Sequence, residues 1–207
     1  MTHTLLAFHG LTTNGEVMRA ALAPLARVLQ PKLRVVCLDA PHTCSAALVE
    51  QTYRNSSERP APPHLRWWDA SDDGLAYRGW EETRATVSAA LERYAPVSVF
   101  GFSQGGTLAA AVAALAARGA LPPVHAAVFV AARKPRAAEL QAAFAQPLAL
   151  PSLHVWGERD VLTRAHSEEL VACFGPEREV VLWSGGHTVP TSGPAFDAIA
   201  RFVLEHA

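Results

Sequence analysis

Short apolar runs alternate with segments of helical periodicity along most of the chain. Six apolar runs predict β-strands. Five lie at residues 4–8, 33–38, 126–131, 153–156 and 179–183, and the sixth starts at Val97 and ends in the motif at residues 101–105. Apolar positions at helical spacing predict helices after Asn14 and after Ser103, and at residues 80–94, 136–145, 164–174 and 194–205. Because the strands are continuously apolar rather than alternating, we predict an α/β fold with a mainly parallel, about six-stranded sheet covered by helices on both faces.

Residues 40–79 break this regular pattern. They show no sustained period, carry Pro60, Pro62 and Pro63, and place Trp67 and Trp68 side by side. A connection this long without regular structure is more often functional than idle. We therefore expect residues 1–207 to form one domain, in which residues 40–79 are an irregular lid or pocket wall.

A G-x-S-x-G motif lies at residues 101–105, between a predicted strand and an Ala-rich predicted helix. In such a nucleophile elbow, glycines keep side chains out of a strained turn, so that the serine hydroxyl stands clear. Ser103 is therefore a candidate nucleophile. The alternative is a tight turn in which Ser103 only caps the helix.

A serine nucleophile needs a base that removes its proton and an acid that holds the base. In α/β-hydrolases, these follow the serine in the order acid, then histidine, each after a strand. Asp160 follows the strand at 153–156, and His187 follows the strand at 179–183. Alternatively, Asp160 only caps a helix and His187 is a solvated loop residue, with Glu158 as a reserve acid.

The turn after the first strand is the candidate source of an oxyanion donor. His9 and Gly10 end that strand close to the elbow, and we expect His9 to be structural. The loop that it begins would place the backbone N–H of Leu11 beside the N–H of Gln104. Together these two groups would form an oxyanion hole.

Composition narrows the function classes. The 18 basic and 19 acidic residues leave a net charge of −1. This charge balance gives no indication of a nucleic-acid partner, and we expect none. No apolar run reaches the roughly 18 residues needed to cross a bilayer. The N-terminal residues lack a signal peptide's basic region and long apolar core, so we expect a cytoplasmic protein. No Cys/His cluster suggests a metal, and we expect no organic cofactor.

The chain resembles the FSH family of serine hydrolases over nearly its whole length. The resemblance rests on matching segments in order: LLAFHGLTTNGEVMR, VVCLDAPH, RWWDAS, YRGWEET, GFSQGG, PSLHVWGERDVL and SGGHTVP. It implies an α/β-hydrolase fold, with Ser103 as nucleophile, Asp160 as acid and His187 as base. It also implies an oxyanion hole at Leu11 and Gln104.

Two departures from the family pattern lie near the expected pocket entrance. Residues 94–97 lack the family's usual Gly-Pro-Phe-Asp-like run, and Thr12-Thr13 replaces a commoner bulky or basic residue. We expect both to affect substrate choice rather than chemistry. The candidate substrate-binding residues are Thr12, Trp67, Trp68 and Phe102, although aromatic residues such as these can equally be core packing.

These observations favour a hydrolase that cleaves carboxylic esters or thioesters of apolar acyl groups through an acyl-enzyme on Ser103. The substrate would be a small molecule. A non-catalytic small-molecule receptor on a hydrolase scaffold is the alternative. A nucleotide-binding module is a third hypothesis, disfavoured because the 101–106 turn has no lysine and no G-x-G-x-x-G pattern. The choice between ester and thioester, the acyl length and the oligomeric state stay open.

Overall fold

Strands and helices alternate along the chain, which a computed structural model describes over residues 3–56 and 58–207. Residues 1, 2 and 57 of the predicted domain lie outside the described residues. The strands are β1 (His3–Phe8), β2 (Leu33–Leu38), β3 (His42–Thr43), β4 (Leu65–Arg66), β5 (Asp69–Ala70), β6 (Tyr77–Arg78), β7 (Val97–Phe102), β8 (Ala127–Val130), β9 (Ser152–Gly157) and β10 (Arg178–Trp183). The helices are α1 (Gly15–Ala21), α2 (Ala23–Leu29), α3 (Ala46–Thr52), α4 (Trp80–Tyr94), α5 (Gln104–Ala117), α6 (Arg164–Val171) and α7 (Gly193–Glu205), with a 3-10 helix at Ala138–Phe144.

The central sheet is parallel and, among the described residues, has the six predicted strands in the order β10-β9-β8-β7-β1-β2. All residues of β1, β8 and β9 are buried, because these strands have a neighbour on each side and helices on both faces. The edge strand β10 alternates instead, leaving Val180 and Leu182 exposed. The prediction of a parallel sheet covered on both faces is confirmed.

Successive residues of β1 show that both faces of the sheet are covered. Leu6 and Phe8 pack into a cluster formed with α4 and α5, whereas Leu5 and Ala7 pack into a second cluster formed with α1, α2 and α7. Adjacent side chains of a strand point to opposite faces, so the two clusters lie on opposite sides of the sheet. The covering helices fix the carboxyl ends of the strands, where the candidate site lies.

The first helical segment divides as its proline predicts. Asn14 caps α1 by accepting a hydrogen bond from the Val17 N–H, and α1 ends at Ala21. Pro24 occupies the first turn of α2, where its missing N–H leaves no helical hydrogen bond unmade. The segment after Asn14 is therefore two short helices, one capped by Asn14 and the other with Pro24 in its first turn.

Two segments differ from their predicted secondary structure. Residues 40–79, expected to be irregular, contain α3 and the antiparallel pairs β3-β4 and β5-β6, which are too short to produce a periodic pattern. The segment predicted as helix at 136–145 is a 3-10 helix at Ala138–Phe144. The start of this segment is held by tertiary hydrogen bonds, in which the Arg136 N–H donates to the Tyr77 hydroxyl and the Ala138 N–H to the Leu75 carbonyl. Within residues 3–56 and 58–207, no helix is both long and apolar enough to span a membrane.

We predict that His154 makes the fold acid-sensitive. Its ring is 2% exposed between Phe129 and Phe174, and burial lowers its pKa to about 3, with a smaller contribution from Arg178. An unfolded histidine has a pKa of about 6.5, so between pH 3 and pH 6.5 the unfolded chain binds a proton that the folded chain does not. Above about pH 6.5 both states leave His154 neutral, and its contribution to the free energy of unfolding is fully present. Between pH 7 and pH 5, protonation of the unfolded chain should lower the free energy of unfolding by about 2 kcal/mol.

Urea unfolding of His154→Leu at pH 7 and pH 5 measures this effect. The variant should lose less stability on acidification than the wild type does. His166→Gln, at an exposed position of α6, is the control and should retain the wild-type pH dependence. An unchanged pH dependence in His154→Leu would contradict the prediction.

Candidate active site

The turn that carries Ser103 is a strained strand-to-helix connection. Ser103 has φ 56° and ψ −116°, in a region that residues with a Cβ rarely adopt, and α5 begins at the next residue. A Cβ at Gly101 would lie 2.1 Å from the Gly105 carbonyl oxygen, and one at Gly105 would lie 2.2 Å from the Phe8 carbonyl oxygen. Both glycines are therefore required, because only bare backbone fits where the helix start meets β1 and β7.

Three side chains from three strand ends form one hydrogen-bonded chain. Ser103 Oγ lies 2.9 Å from His187 Nε2, and His187 Nδ1 lies 2.9 Å from Asp160 Oδ2. An ionised carboxylate only accepts hydrogen bonds, so Nδ1 carries the imidazole proton and Nε2 accepts from the Ser103 hydroxyl. This arrangement gives the hydroxyl a base in hydrogen-bonding contact.

Asp160 is 1% exposed, and its oxygens are held by neighbouring donors. Oδ1 accepts from the N–H groups of Leu162 and Thr163 at 2.9 and 3.0 Å, and Oδ2 accepts from the Thr163 hydroxyl at 2.5 Å. Burial raises the pKa of this carboxyl, but the hydrogen bonds from Thr163 and His187 outweigh burial and lower it. Asp160 thus accepts backbone N–H groups just before α6 and orients His187 at the same time, whereas the reserve acid Glu158 is exposed.

The backbone N–H groups of Leu11 and Gln104 are the candidate donors of an oxyanion hole. Leu11 and Gln104 line the same cavity as Ser103 and His187. Neither N–H donates a hydrogen bond to any other group in the part of the chain that the structure describes. Two backbone donors in the cavity that Ser103 lines are therefore available to an oxyanion, which is the role expected of them.

His9 fixes the loop that carries the Leu11 N–H. Its Nε2 accepts from the Ala40 N–H at 3.1 Å, so Nδ1 carries the proton and donates to the Gly10 carbonyl at 2.8 Å. Burial lowers the pKa of His9, which favours this neutral form. The Thr13 hydroxyl donates to the same Gly10 carbonyl. His9 therefore has the structural position expected from the sequence.

The side chain of Gln104 ties the elbow to the tryptophan segment. Its Oε1 accepts from the Trp67 N–H and its Nε2 donates to the Trp68 carbonyl, both at 3.0 Å. Thr83 of α4 donates to the Trp67 carbonyl from the other side. One residue thus presents its backbone N–H to the candidate oxyanion hole and holds the adjoining wall with its side chain.

A cavity of about 440 Å³ opens over Ser103. Its wall has both apolar and charged parts. The apolar part includes Leu11, Trp68, Tyr77 and Leu162, and the charged part includes Asp72, Asp73, Arg133, Lys134 and Arg136.

Of the four residues expected to bind substrate, only Trp68 is found to line this cavity. Trp67 is fully buried, packs against Phe8 and His9, and donates from Nε1 to the His9 carbonyl at 2.8 Å. Thr12 is also fully buried, with φ 60°, and its hydroxyl donates to the Leu11 carbonyl. These two positions correct the expectation of direct substrate contact, because both residues support the Leu11 loop from behind.

Phe102 is placed behind the base rather than in the cavity wall. Its ring centroid lies 5.0 Å from that of His187, and its ring also packs against Gly10. It therefore limits how far the imidazole can turn. The alternative of core packing, left open for the aromatic residues, describes Trp67 and Phe102 better than substrate contact does.

Several residues of the site were not predicted from the sequence. Thr163 was detectable, because a hydroxyl three residues after a turn aspartate often shares its local hydrogen bonds. Arg133, Lys134 and Arg136 follow β8 in one short run, but the sequence did not show that the loop after this strand reaches the cavity. In the described residues, no group of three His, Cys, Asp or Glu side chains is placed to hold a metal.

The chain matches the family model described as serine hydrolase (FSH1) over residues 1–199. Esterase OVCA2 of Bos taurus is 33% identical over 221 aligned residues, covering 98% of this chain and 96% of the relative. The Homo sapiens protein of that name is 30% identical, with the same two coverages.

Solved structures show the same fold at lower identity. Zea mays acyl-protein thioesterase 2 superposes with a TM-score of 0.73 at 21% identity, covering 99% of this chain and 94% of that one. Esterase PE8 gives a TM-score of 0.70 at 20% identity, covering 100% and 93%. Together with the six-stranded parallel sheet, these likenesses confirm the predicted α/β-hydrolase fold.

We predict that Gln104→Ala destabilises the protein through its side chain alone. The substitution keeps the backbone N–H at position 104 but leaves the Trp67 N–H and the Trp68 carbonyl without their partners. Losing partners of buried polar groups costs about 1–3 kcal/mol. Thermal unfolding should therefore show a Tm lowered by several degrees, whereas Gln51→Ala, at an exposed position of α3, should leave Tm near the wild-type value. Equal Tm values for both variants would refute this role.

Proposed function

Because the chain belongs to the FSH1 family of serine hydrolases, we propose that it cleaves carboxylic esters or thioesters of apolar acyl groups through an acyl-enzyme on Ser103. The observation that carries the proposal is the hydrogen-bonded chain from Ser103 through His187 to Asp160 beside two available N–H donors. The names of its relatives, esterases, and of a structural neighbour, a thioesterase, agree with this chemistry.

In the first half-reaction, Ser103 Oγ attacks the carbonyl carbon of the substrate while its proton passes to His187 Nε2. The carbonyl π electrons move onto oxygen, and the N–H groups of Leu11 and Gln104 stabilise this oxyanion. When the tetrahedral intermediate collapses, the bond to the leaving oxygen or sulfur breaks. His187 returns the proton to the leaving group, and the acyl group remains on Ser103.

In the second half-reaction, water replaces the leaving group. His187 Nε2 takes a proton from water as the water oxygen attacks the acyl carbon, and the same oxyanion hole holds the second intermediate. Collapse breaks the bond to Ser103 Oγ, which regains a proton from His187, and releases the carboxylic acid. Asp160 stays ionised throughout and stabilises the imidazolium that forms in both steps, which the lowered pKa of its carboxyl supports.

The whole chain acts, in this proposal, as one α/β-hydrolase domain. The segment at 40–79 forms part of its pocket wall, because Trp68, Tyr77 and the turn between β5 and β6 line the cavity. An apolar acyl chain would lie along Leu11, Trp68, Tyr77 and Leu162. The segment is held by Gln104 on one side and by the Arg136 N–H on the other, which supports a wall rather than a freely moving lid.

Covalent labelling tests the nucleophile. A fluorophosphonate probe should label the wild type, and Ser103→Ala should abolish labelling and lower kcat for p-nitrophenyl butyrate by at least about 10³-fold. Ser88→Ala, in α4 and away from the cavity, is the matched control and should keep both. Tight ligand binding without turnover by the wild type would instead favour the alternative, a non-catalytic receptor.

We further predict that Thr163→Val weakens the site by disturbing Asp160. The change removes the hydroxyl that donates to Oδ2, so the carboxyl loses one of the bonds that lower its pKa. Asp160 should then become protonated at higher pH, and the acid limb of the kcat/KM profile should move to higher pH. At neutral pH, kcat should fall about tenfold, in line with the loss of one hydrogen bond to a charged group.

Thr163→Ser is the control for the Thr163→Val experiment. It keeps the hydroxyl and should retain both the rate and the position of the acid limb. If Thr163→Val also retains them, the hydroxyl has no part in positioning Asp160.

A further inference from the structure

Three cations from one short segment line the cavity over Ser103. Arg133, Lys134 and Arg136 follow β8, whose carboxyl end lies between the strand that leads to Ser103 and the strand that leads to Asp160. The chain as a whole has a net charge of −1, with 18 basic residues distributed along its length. The positive charge here is therefore a local concentration at the candidate site and not a reflection of overall composition.

These three cations form no salt bridge with a carboxylate of the described residues. No carboxylate oxygen in residues 3–56 and 58–207 lies within 4.0 Å of the charged groups of Arg133, Lys134 or Arg136. Salt bridges of 4.0 Å or less involve other arginines, namely Arg19, Arg59, Arg66, Arg84 and Arg201. Charged donors at the wall of a cavity are thus left for a ligand.

The backbone that presents these side chains is fixed. The Arg133 N–H lies 3.4 Å from the Thr107 hydroxyl, and Pro135 is buried with its carbonyl accepting from Gln141 Nε2. One guanidinium nitrogen of Arg133 donates to the Leu162 carbonyl, beside Asp160. A guanidinium has five N–H donors, so this contact positions Arg133 and leaves donors for an anion.

The turn between β5 and β6 adds negative charge to the same cavity. Asp72 and Asp73 line the same cavity, and the charge of Asp73 acts on Arg136. Asp73 is also bound within its own turn, where it accepts from the Ser71 hydroxyl and the Leu75 N–H. Arg136 also lies near Gly74 of the same turn, so its charge is partly offset. This leaves Arg133 and Lys134, whose ammonium lies 5.9 Å from the centre of the Phe144 ring, as the candidate anion-binding groups.

We propose that Arg133 and Lys134 select an ester or thioester that carries an anionic carboxylate or phosphate group away from its scissile bond. This inference rests on the proposed hydrolase function and deepens it. The apolar wall binds the neutral part of the substrate, and the two cations bind its charged end. Charge-assisted hydrogen bonds at a cavity wall favour the charged substrate over a neutral one of equal length.

Matched substrate pairs test the proposal and distinguish where the anion is carried. For an anion on the acyl side, kcat/KM for the p-nitrophenyl monoester of glutaric acid is compared with that for p-nitrophenyl pentanoate. For an anion on the leaving-group side, butyryl coenzyme A is compared with butyryl N-acetylcysteamine. The charged substrate of at least one pair should be preferred about tenfold, as one hydrogen bond between charged groups would give, and added salt should reduce the preference.

Charge-removing variants assign the preference to the two cations. Arg133→Gln and Lys134→Gln should each lower kcat/KM for the charged substrate several-fold while leaving that for its neutral partner within about twofold. Lys32→Gln is the control. It removes one positive charge immediately before the edge strand β2, outside the cavity, and should preserve the preference for the charged substrate.

The outcomes separate the two proposals. Ser103-dependent turnover with no preference for either charged substrate overturns the anion proposal and leaves the hydrolase function standing. A preference that survives in both glutamine variants also overturns it. If no ester or thioester is turned over at all, the hydrolase function fails and the anion proposal fails with it.

Discussion

The close approach of bare backbone around Ser103 is the constraint on which the rest of the site depends. The start of α5 fits against β1 only because Gly105 has no side chain, and the turn closes on itself only because Gly101 has none. This contact holds Ser103 at a positive φ, which turns its hydroxyl out of the sheet and toward His187. It also places the Gln104 N–H at the first position of α5, where the helix has no carbonyl that could accept its hydrogen bond.

Polar contacts behind the cavity join the elbow at Ser103 to the loop that carries Leu11. His9 and Gln104 both contact the tryptophan segment, His9 through its carbonyl and Gln104 through its side-chain amide. Trp67 joins the two, so the loop carrying Leu11 and the elbow share one support. A small shift of that support would move both proposed oxyanion donors together.

The sequence was sufficient to predict the strands of the sheet, the elbow and the residues that meet at it. Their positions follow from strong local patterns, and the parallel topology brings strand ends to one edge. The sequence did not predict the features that depend on contacts between distant parts of the chain. Trp67 and Thr12 looked like pocket residues but pack behind the Leu11 loop, and the arginine run after β8 carries no motif that ties it to a cavity. Residues 40–79 form elements too short to leave a period.

The position of β8 in the sheet has a consequence for how such a hydrolase can diversify. It lies between the strand that precedes Ser103 and the strand that precedes Asp160, yet neither of these residues nor His187 directly follows it. The loop after it reaches the cavity without carrying any of the reacting groups. Replacing the Arg133 and Lys134 side chains would therefore change the charge of the cavity without removing any member of the hydrogen-bonded chain from Ser103 to Asp160, so the charge of this wall can vary separately from that chain.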